Sequence, residues 1–526
     1  MTAAADLVLT NAEVHTLTTP DETFGALAVR DGRIVRLTNA YDVDFLVGTD
    51  TRTVDLDGRV VLPGFVDAHT HLEMVGRRLV HADCAVDTRE RALDRLREQV
   101  VDRTVEATGD AGGGWIQGFG YDESRWDDDH YLSREELDDV SDAMPVVAFR
   151  EDMHVASVNS VALDRLGLTA GDHGGDVRGD DEATGVLVER AVDDVWDAVA
   201  PTQEDTRALV TAAQQYATER GVTGVHDMVR GSHAPAVYRD LDAAGDLDLR
   251  VRLNYWADHL DALRELGLKT NHGSGLVTVG AIKTYTDGSF GGRTAKLSEP
   301  YADAETTGQW VVPPEELETI VADATDAGFQ VAAHAIGDAA VDAVLDAFEQ
   351  AADADASPGR HRIEHAELAD DAAVERMAAL GVVASVQPNF LKWADEGGLY
   401  DRRLGSRRLE TNRYRAMLDA GVDVAFGSDC MPLDPLLGVH HAVTAPHEDQ
   451  RLSTTEALRA YTVGGAYAGF DERRLGPLSL GRRADLVALD ESPWNAERID
   501  DIDPVLTVVD GRVVSDALSD ERRRND

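Results

Sequence analysis

At 526 residues the chain exceeds what one hydrophobic core usually serves, so a large domain with a smaller companion is expected. Lys+Arg total 50 against 98 Asp+Glu, and the net charge of −48 is spread along the chain, which reads as a solvated acidic surface and argues against nucleic acid or an anionic membrane as partner. Lysine occurs only at positions 269, 283, 296 and 392, arginine supplying the remaining positive charge; such a halophile-like surface suits molar salt, where screening shortens self-repulsion to about 3 Å.

The elements begin with short alternating strands at Asp6–Thr10, Glu13–Leu17, Ala26–Arg30 and Arg33–Leu37, the last two joined at Asp31-Gly32. A matching set closes the chain at Ala484–Leu489 and Val505–Val514. Neither end can bury much alone, so the termini are expected to meet in one small β-sandwich. Between them stand eight apolar strand candidates, each followed by helix-length sequence: Val60–Val66, Val222–Asp227, Leu249–Tyr255, Ala281–Asp287, Gln330–Ala335, His361–Ala366, Val382–Pro388 and Asp423–Ser428. Eight such units predict an α/β fold, a (β/α)8 TIM-type barrel. The stretch between the first two is far too long for a loop and holds its own strand-like run at Pro145–Arg150 and helical stretches at Arg91–Val105 and Glu189–Val199. The domain expectation is a composite sandwich of 1–59 plus 446–526 and a barrel of 60–445 with an inserted subdomain at about 85–200, arching over the barrel mouth.

Chemistry enters at Asp67-Ala68-His69-Thr70-His71, where two histidines at i and i+2 share one face of a strand and can grip one metal ion. Catalytic groups of a (β/α)8 barrel sit at the carboxyl ends of its strands. Those ends carry His69 and His71, then Lys283, His334, His365 and Asp429. This order resembles the binuclear pattern of the amidohydrolase superfamily. The wording around it, Val279–Ser289, Arg293-Thr294-Ala295, His334–Ala340, Arg360–His365 and Gly427-Ser428-Asp429, resembles the YtcJ-like branch, which includes N-substituted formamide deformylase, over nearly the whole chain.

The resemblance implies a divalent metal bound by His69, His71, Lys283, His334, His365 and Asp429, one ion or two. Zn²⁺ suits the shell, and Mn²⁺, Fe²⁺ or Ni²⁺ also fit. A lysine kept at a buried strand end, in a chain that favours arginine, points to carboxylation of Lys283 into a bridging carbamate. An ordinary ion-paired lysine and a mononuclear site are the alternative. Asp429 is the expected general base for water activated on the metal, and the reaction is hydrolysis of an amide, N-formyl or N-acyl bond. His154 is a second catalytic candidate, as a donor to the substrate carbonyl or as a loop-ordering residue. Tyr121, Trp126, Asn159 and Arg293 are candidate substrate contacts, with a salt bridge to an acidic neighbour the simpler role for Arg293.

A cyclic amidine deaminase and a non-catalytic regulator are the competing readings. The first would want a Glu near His334, where Gly337-Asp338 stands; the second gives no reason to keep every ligand. Cys84 and Cys430 make no disulfide framework, Met1–Asp6 lacks a basic leader region, and no apolar run is long enough to span a bilayer. A cytoplasmic protein acting on a small molecule is expected; a homodimer is compatible with the sequence.

Overall fold

The computed structural model describes residues 4–519 except 106–113, 124, 125, 128, 129, 152, 154, 189 and 353–358. Its centre is an eight-stranded parallel sheet in sequential order: β1 (Phe65–Thr70), β2 (Val222–Val229), β3 (Arg250–Trp256), β4 (Val277–Tyr285), β5 (Val331–Ala335), β6 (Arg362–His365), β7 (Val383–Val386) and β8 (Asp423–Phe426). Nearly every residue of these strands is buried, as expected when one face lines a barrel and the other packs under helices. The seam between β8 and β1 is tied by Asp429 N–H to the His69 carbonyl at 2.8 Å and by Ser428 N–H to Asp67 Oδ1 at 3.0 Å.

Helix limits follow local chemistry. Asp371–Leu380, between β6 and β7, starts where the Asp370 carboxylate accepts from Ala373 N–H and stops at Gly381, whose φ of 63° an L-residue rarely adopts.

The terminal segments build two further sheets. One is four-stranded and entirely N-terminal; the other is six-stranded and interleaves Glu13–His15 and Val60–Pro63 with Leu486–Leu489, Pro504–Val509 and Arg512–Asp516. Leu9, Leu27, Val29, Val61, Leu486 and Leu506 share one core between the two sheets. The apolar run expected as a single strand, Val60–Val66, is therefore divided. Val60–Pro63 pairs with Leu486–Leu489 in the terminal sheet, and β1 starts only at Phe65. Gly64 makes the break possible, because a Cβ there would lie 2.3 Å from Thr223. Arg250 at the start of β3 locks this sheet to the barrel through Asp485 (2.5 and 2.9 Å) and Asp510 (2.9 Å).

The second compact unit comprises Leu72–Ala213 with Ser232–Val237, so the inserted body begins directly after His71. It has its own five-stranded sheet and two apolar cores, one around Trp115, Phe149 and Trp196, the other around Cys84, Leu96 and Leu137.

Candidate metal centre at the barrel mouth

His69 lies near the end of β1 and His71 just beyond it. Gly427, which follows β8, lets the two chain segments meet: a Cβ at this position would sit 2.4 Å from the His69 backbone nitrogen. Asp429 then turns back into the barrel with φ +50°, a left-handed conformation that costs a non-glycine residue about 1 kcal/mol or more and is found where a site over-determines it. His365, last residue of β6, has φ +74°. The donor atoms of His69, His365 and Asp429 all fall within 4.8 Å of one another. His71 adds its Nε2 at 3.5 Å from Asp429 Oδ1, and His69 Nε2 is 3.6 Å from the same oxygen. The His334 ring stands 4.5 Å from that of His365.

Lys283 reaches this group by a local irregularity. Leu253 and Tyr255 of β3 face Val279 and Ile282 of β4, so β4 carries one extra residue there. The Asn254 side chain fills the ladder by accepting from Ala281 N–H at 2.7 Å. An extra residue inverts which side chains point inward beyond it. Lys283 is fully buried, its Nζ has no hydrogen-bond partner among the described residues, and the ammonium faces Tyr285 and Trp256 at 5.2 and 5.8 Å from their ring centres.

Hydrogen bonds decide which ring nitrogen each histidine offers. His334 Nε2–H donates to the Gly288 carbonyl at 3.0 Å, leaving Nδ1, which is buried and without a partner among the described residues. His365 Nδ1–H donates to Gln387 Oε1 at 2.7 Å, and His69 Nδ1 faces Glu364 Oε2 at 2.6 Å, so these two rings present Nε2. Burial keeps all four imidazoles neutral: His71 is lowered to about 4 and His334 to about 3, in both cases by desolvation first and the Lys283 charge second. His69 and His365 are also pushed well below the ordinary histidine value, chiefly by burial. Burial lowers Lys283 to about 8 against the pull of Glu364 and Asp429. Neutral imidazoles and a carboxylate around a buried amine are a ligand set for a divalent cation.

Asp287 stabilises the loop after β4. Its carboxylate, raised to about 7 by burial, accepts from the backbone N–H groups of Lys296, Ile336 and Gly337, which brings the Gly288 carbonyl to His334. Three residues of this centre escaped the sequence reading. Gln387 lies directly after β7 and was open to discovery by taking every strand end in turn. Glu364 and Asp67 are inside strands, where composition alone marks nothing.

The other candidates fall elsewhere. Arg293 forms a two-pronged bond to Asp303 at 3.1 and 2.8 Å, the salt-bridge role. Tyr121, Trp126 and Asn159 belong to the inserted unit, and their polar atoms are engaged there. Tyr121 bonds Ser157 Oγ at 3.0 Å, and Trp126 Nε1–H donates to the Val86 carbonyl at 3.1 Å. Asn159 caps helix Ser160–Leu166 and donates to the Ser141 and Met144 carbonyls. His154 lies outside the described residues.

Comparison with known proteins agrees with this geometry. A family model described as "Amidohydrolase family" matches residues 52–515. The putative amidohydrolase YtcJ of Bacillus subtilis is 30% identical, covering 95% of this chain and 98% of that one. N-substituted formamide deformylase of Arthrobacter pascens is 28% identical over 97% of this chain and 98% of its own. The crystal structure of an uncharacterized metal-dependent hydrolase from Pyrococcus furiosus superposes with a TM-score of 0.78 at 31% identity, covering 93% of this chain and all of the other.

Proposed function

The chain belongs to the amidohydrolase family, and from that premise we propose that it is a metal-dependent hydrolase of a carbon–nitrogen bond in an N-formyl or N-acyl amine. The observation that carries the reading is the convergence of His69, His365 and Asp429 within 4.8 Å at the carboxyl ends of the barrel strands. The buried Nδ1 of His334, which has no hydrogen-bond partner among the described residues, fits a cation, because a buried polar atom is costly unless something binds it; Lys283 would fit one once carboxylated. The names of the Pyrococcus structure and of the Arthrobacter relative support, respectively, the metal and the acyl-nitrogen substrate class.

His69, His71, His334, His365 and Asp429 would hold the cation. Zn²⁺ suits a shell so rich in imidazole. Lys283 is the site for carboxylation: its neutral amine adds to CO₂ through Nζ and releases a proton, leaving an anionic oxygen in place of a cation. When bound, the metal supplies Lewis-acid polarisation of a carbonyl and a more acidic water. The side chains do the rest. One oxygen of Asp429 faces the His69 and His71 rings, and the carboxylate accepts the proton of the attacking water and passes it to the departing nitrogen. Neutral histidines keep the centre from repelling the cation.

A deaminase would need an acid beside the β5 histidine. Asp338 is instead bound to Ser298 through both its oxygens, and the acid that does lie beside the ring, Asp287 with Oδ1 3.5 Å from His334 Nε2, is engaged by the backbone N–H groups of Lys296, Ile336 and Gly337, which supports the amide reading. The experiment is an assay of the purified protein in molar salt against N-formyl and N-acyl amines, before and after chelation and with Zn²⁺ or Mn²⁺ restored. Turnover that disappears with chelator and returns with metal is the expected result. Ammonia release from a cyclic amidine, with acyl amines untouched, would replace this reading with the deaminase.

A further inference from the structure

β6 delivers two consecutive residues to the same centre, which a regular strand does not do, since successive side chains point to opposite faces. The φ of +74° at His365 breaks the alternation, so that Glu364 and His365 both reach His69. Glu364 Oε2 lies 2.6 Å from His69 Nδ1, and both side chains are shut off from solvent. Arg362, two residues earlier and on the same face, grips Glu364 with Nε to Oε1 at 2.8 Å and Nη2 to Oε2 at 3.0 Å. The guanidinium is itself held by three other strands: it donates to the Ala68 carbonyl of β1 at 2.6 Å, to His226 Nδ1 of β2 at 2.8 Å and to Ser385 Oγ of β7 at 2.8 Å. The carboxylate therefore has little freedom to turn.

We propose that Glu364, held in the Arg362 fork, is the positioning residue that fixes His69 as its Nδ1–H tautomer and aims Nε2 at the cation. The proposal rests on the metal reading above. A carboxylate clamped by a guanidinium only accepts, so the hydrogen in the 2.6 Å contact belongs to His69 Nδ1. The lone pair of the neutral ring is then on Nε2, the atom facing Asp429 Oδ1. The same contact makes the imidazole a better donor to a metal. An arginine serves here where a lysine would not, because two parallel N–H bonds fix the plane of the carboxylate as well as its charge. An ion pair that merely filled the barrel centre would require neither this contact nor this ring orientation.

Two readouts test it. The first is the ring ¹⁵N spectrum of the metal-free protein with labelled histidine, His69 being assigned by its absence in His69→Asn. The wild type should show a protonated Nδ1 and a bare Nε2 at His69. In Glu364→Gln, whose amide matches the carboxylate in shape but can donate to Nδ1, the Nε2–H form should appear. The second is Zn²⁺ affinity by competition titration, expected to weaken roughly 10- to 100-fold in Glu364→Gln and to recover in part in Glu364→Asp. A wild-type His69 protonated on Nε2, or a Glu364→Gln protein with unchanged ring spectrum and unchanged affinity, would overturn the proposal. Should the wild type bind no cation, the metal reading falls and the ring spectrum alone decides the tautomer. That spectrum also decides if the glutamine variant does not fold, since it needs only the wild-type chain and His69→Asn for the assignment.

Discussion

Gly427→Ala perturbs the centre without replacing any proposed ligand. The added carbon would lie 2.4 Å from the His69 backbone nitrogen, 2.8 Å from its Cβ and 2.9 Å from its Cα, where ordinary contact needs 3.4 Å or more. Relief requires β1 and the segment after β8 to separate by about 1 Å, since none of the three contacts is with a flexible side-chain end. Overpacking of this kind costs roughly 1–3 kcal/mol of stability. The same shift stretches the 2.8 Å bond from Asp429 N–H to the His69 carbonyl and carries Asp429 away from both histidines. A misplacement of about 1 Å at a reacting centre lowers rate on the order of 100-fold. The assay compares denaturant midpoint, Zn²⁺ affinity and turnover with those of Gly275→Ala, where an added carbon meets nothing within 4 Å. Gly427→Ala should lose in all three and Gly275→Ala in none. Wild-type affinity and turnover in Gly427→Ala would refute the claim that this close approach sets the metal geometry.

Two further outcomes follow from charge. His361, at the start of β6, accepts from Val331 N–H at 3.1 Å, stacks on Phe348 and is lowered to about 4 by burial. Its folded value lies below the unfolded 6.5, so the unfolded chain takes the proton first, and the stabilisation present above pH 6.5 is lost as pH falls towards 4, by about 3 kcal/mol in all. In His361→Gln the slope of unfolding free energy against pH across that window should be shallower; a slope equal to the wild type's would remove His361 from the acid response. The −48 charge predicts that dilution from molar to tens of millimolar salt lowers the melting temperature, because screening lengthens severalfold and self-repulsion grows. A melting temperature that holds or rises on dilution would contradict a high-salt adaptation.

Much of the architecture was legible because burial leaves a periodic mark. The eight apolar segments, and the histidines, lysine and aspartate at or just past their ends, could be read in order, since a parallel barrel puts its chemistry on one rim. What escaped depended on backbone detail. The run 60–66 is apolar throughout, and only the close approach of Gly64 to Thr223 reveals that it serves two sheets. The inward turn of Lys283 needs the extra residue in β4, which no alternation pattern predicts. Glu364 was hidden by the rule that neighbours on a strand face apart, a rule His365 breaks through its left-handed backbone. Asn159 carries a local signal as well: Asn-Ser-Val-Ala before an apolar stretch is an ordinary helix start, and its side chain caps that helix.

The central claim, that these strand ends form a metal centre, is tested most directly by counting metal. Wild type and His365→Ala, each loaded with Zn²⁺ and dialysed exhaustively in molar salt, are compared by elemental analysis, with melting temperature as the check on fold. One or two ions per wild-type chain, and a clear deficit in a His365→Ala protein that melts normally, is the predicted result. A wild-type chain that retains no divalent ion, or a His365→Ala protein that keeps the full complement, would contradict it.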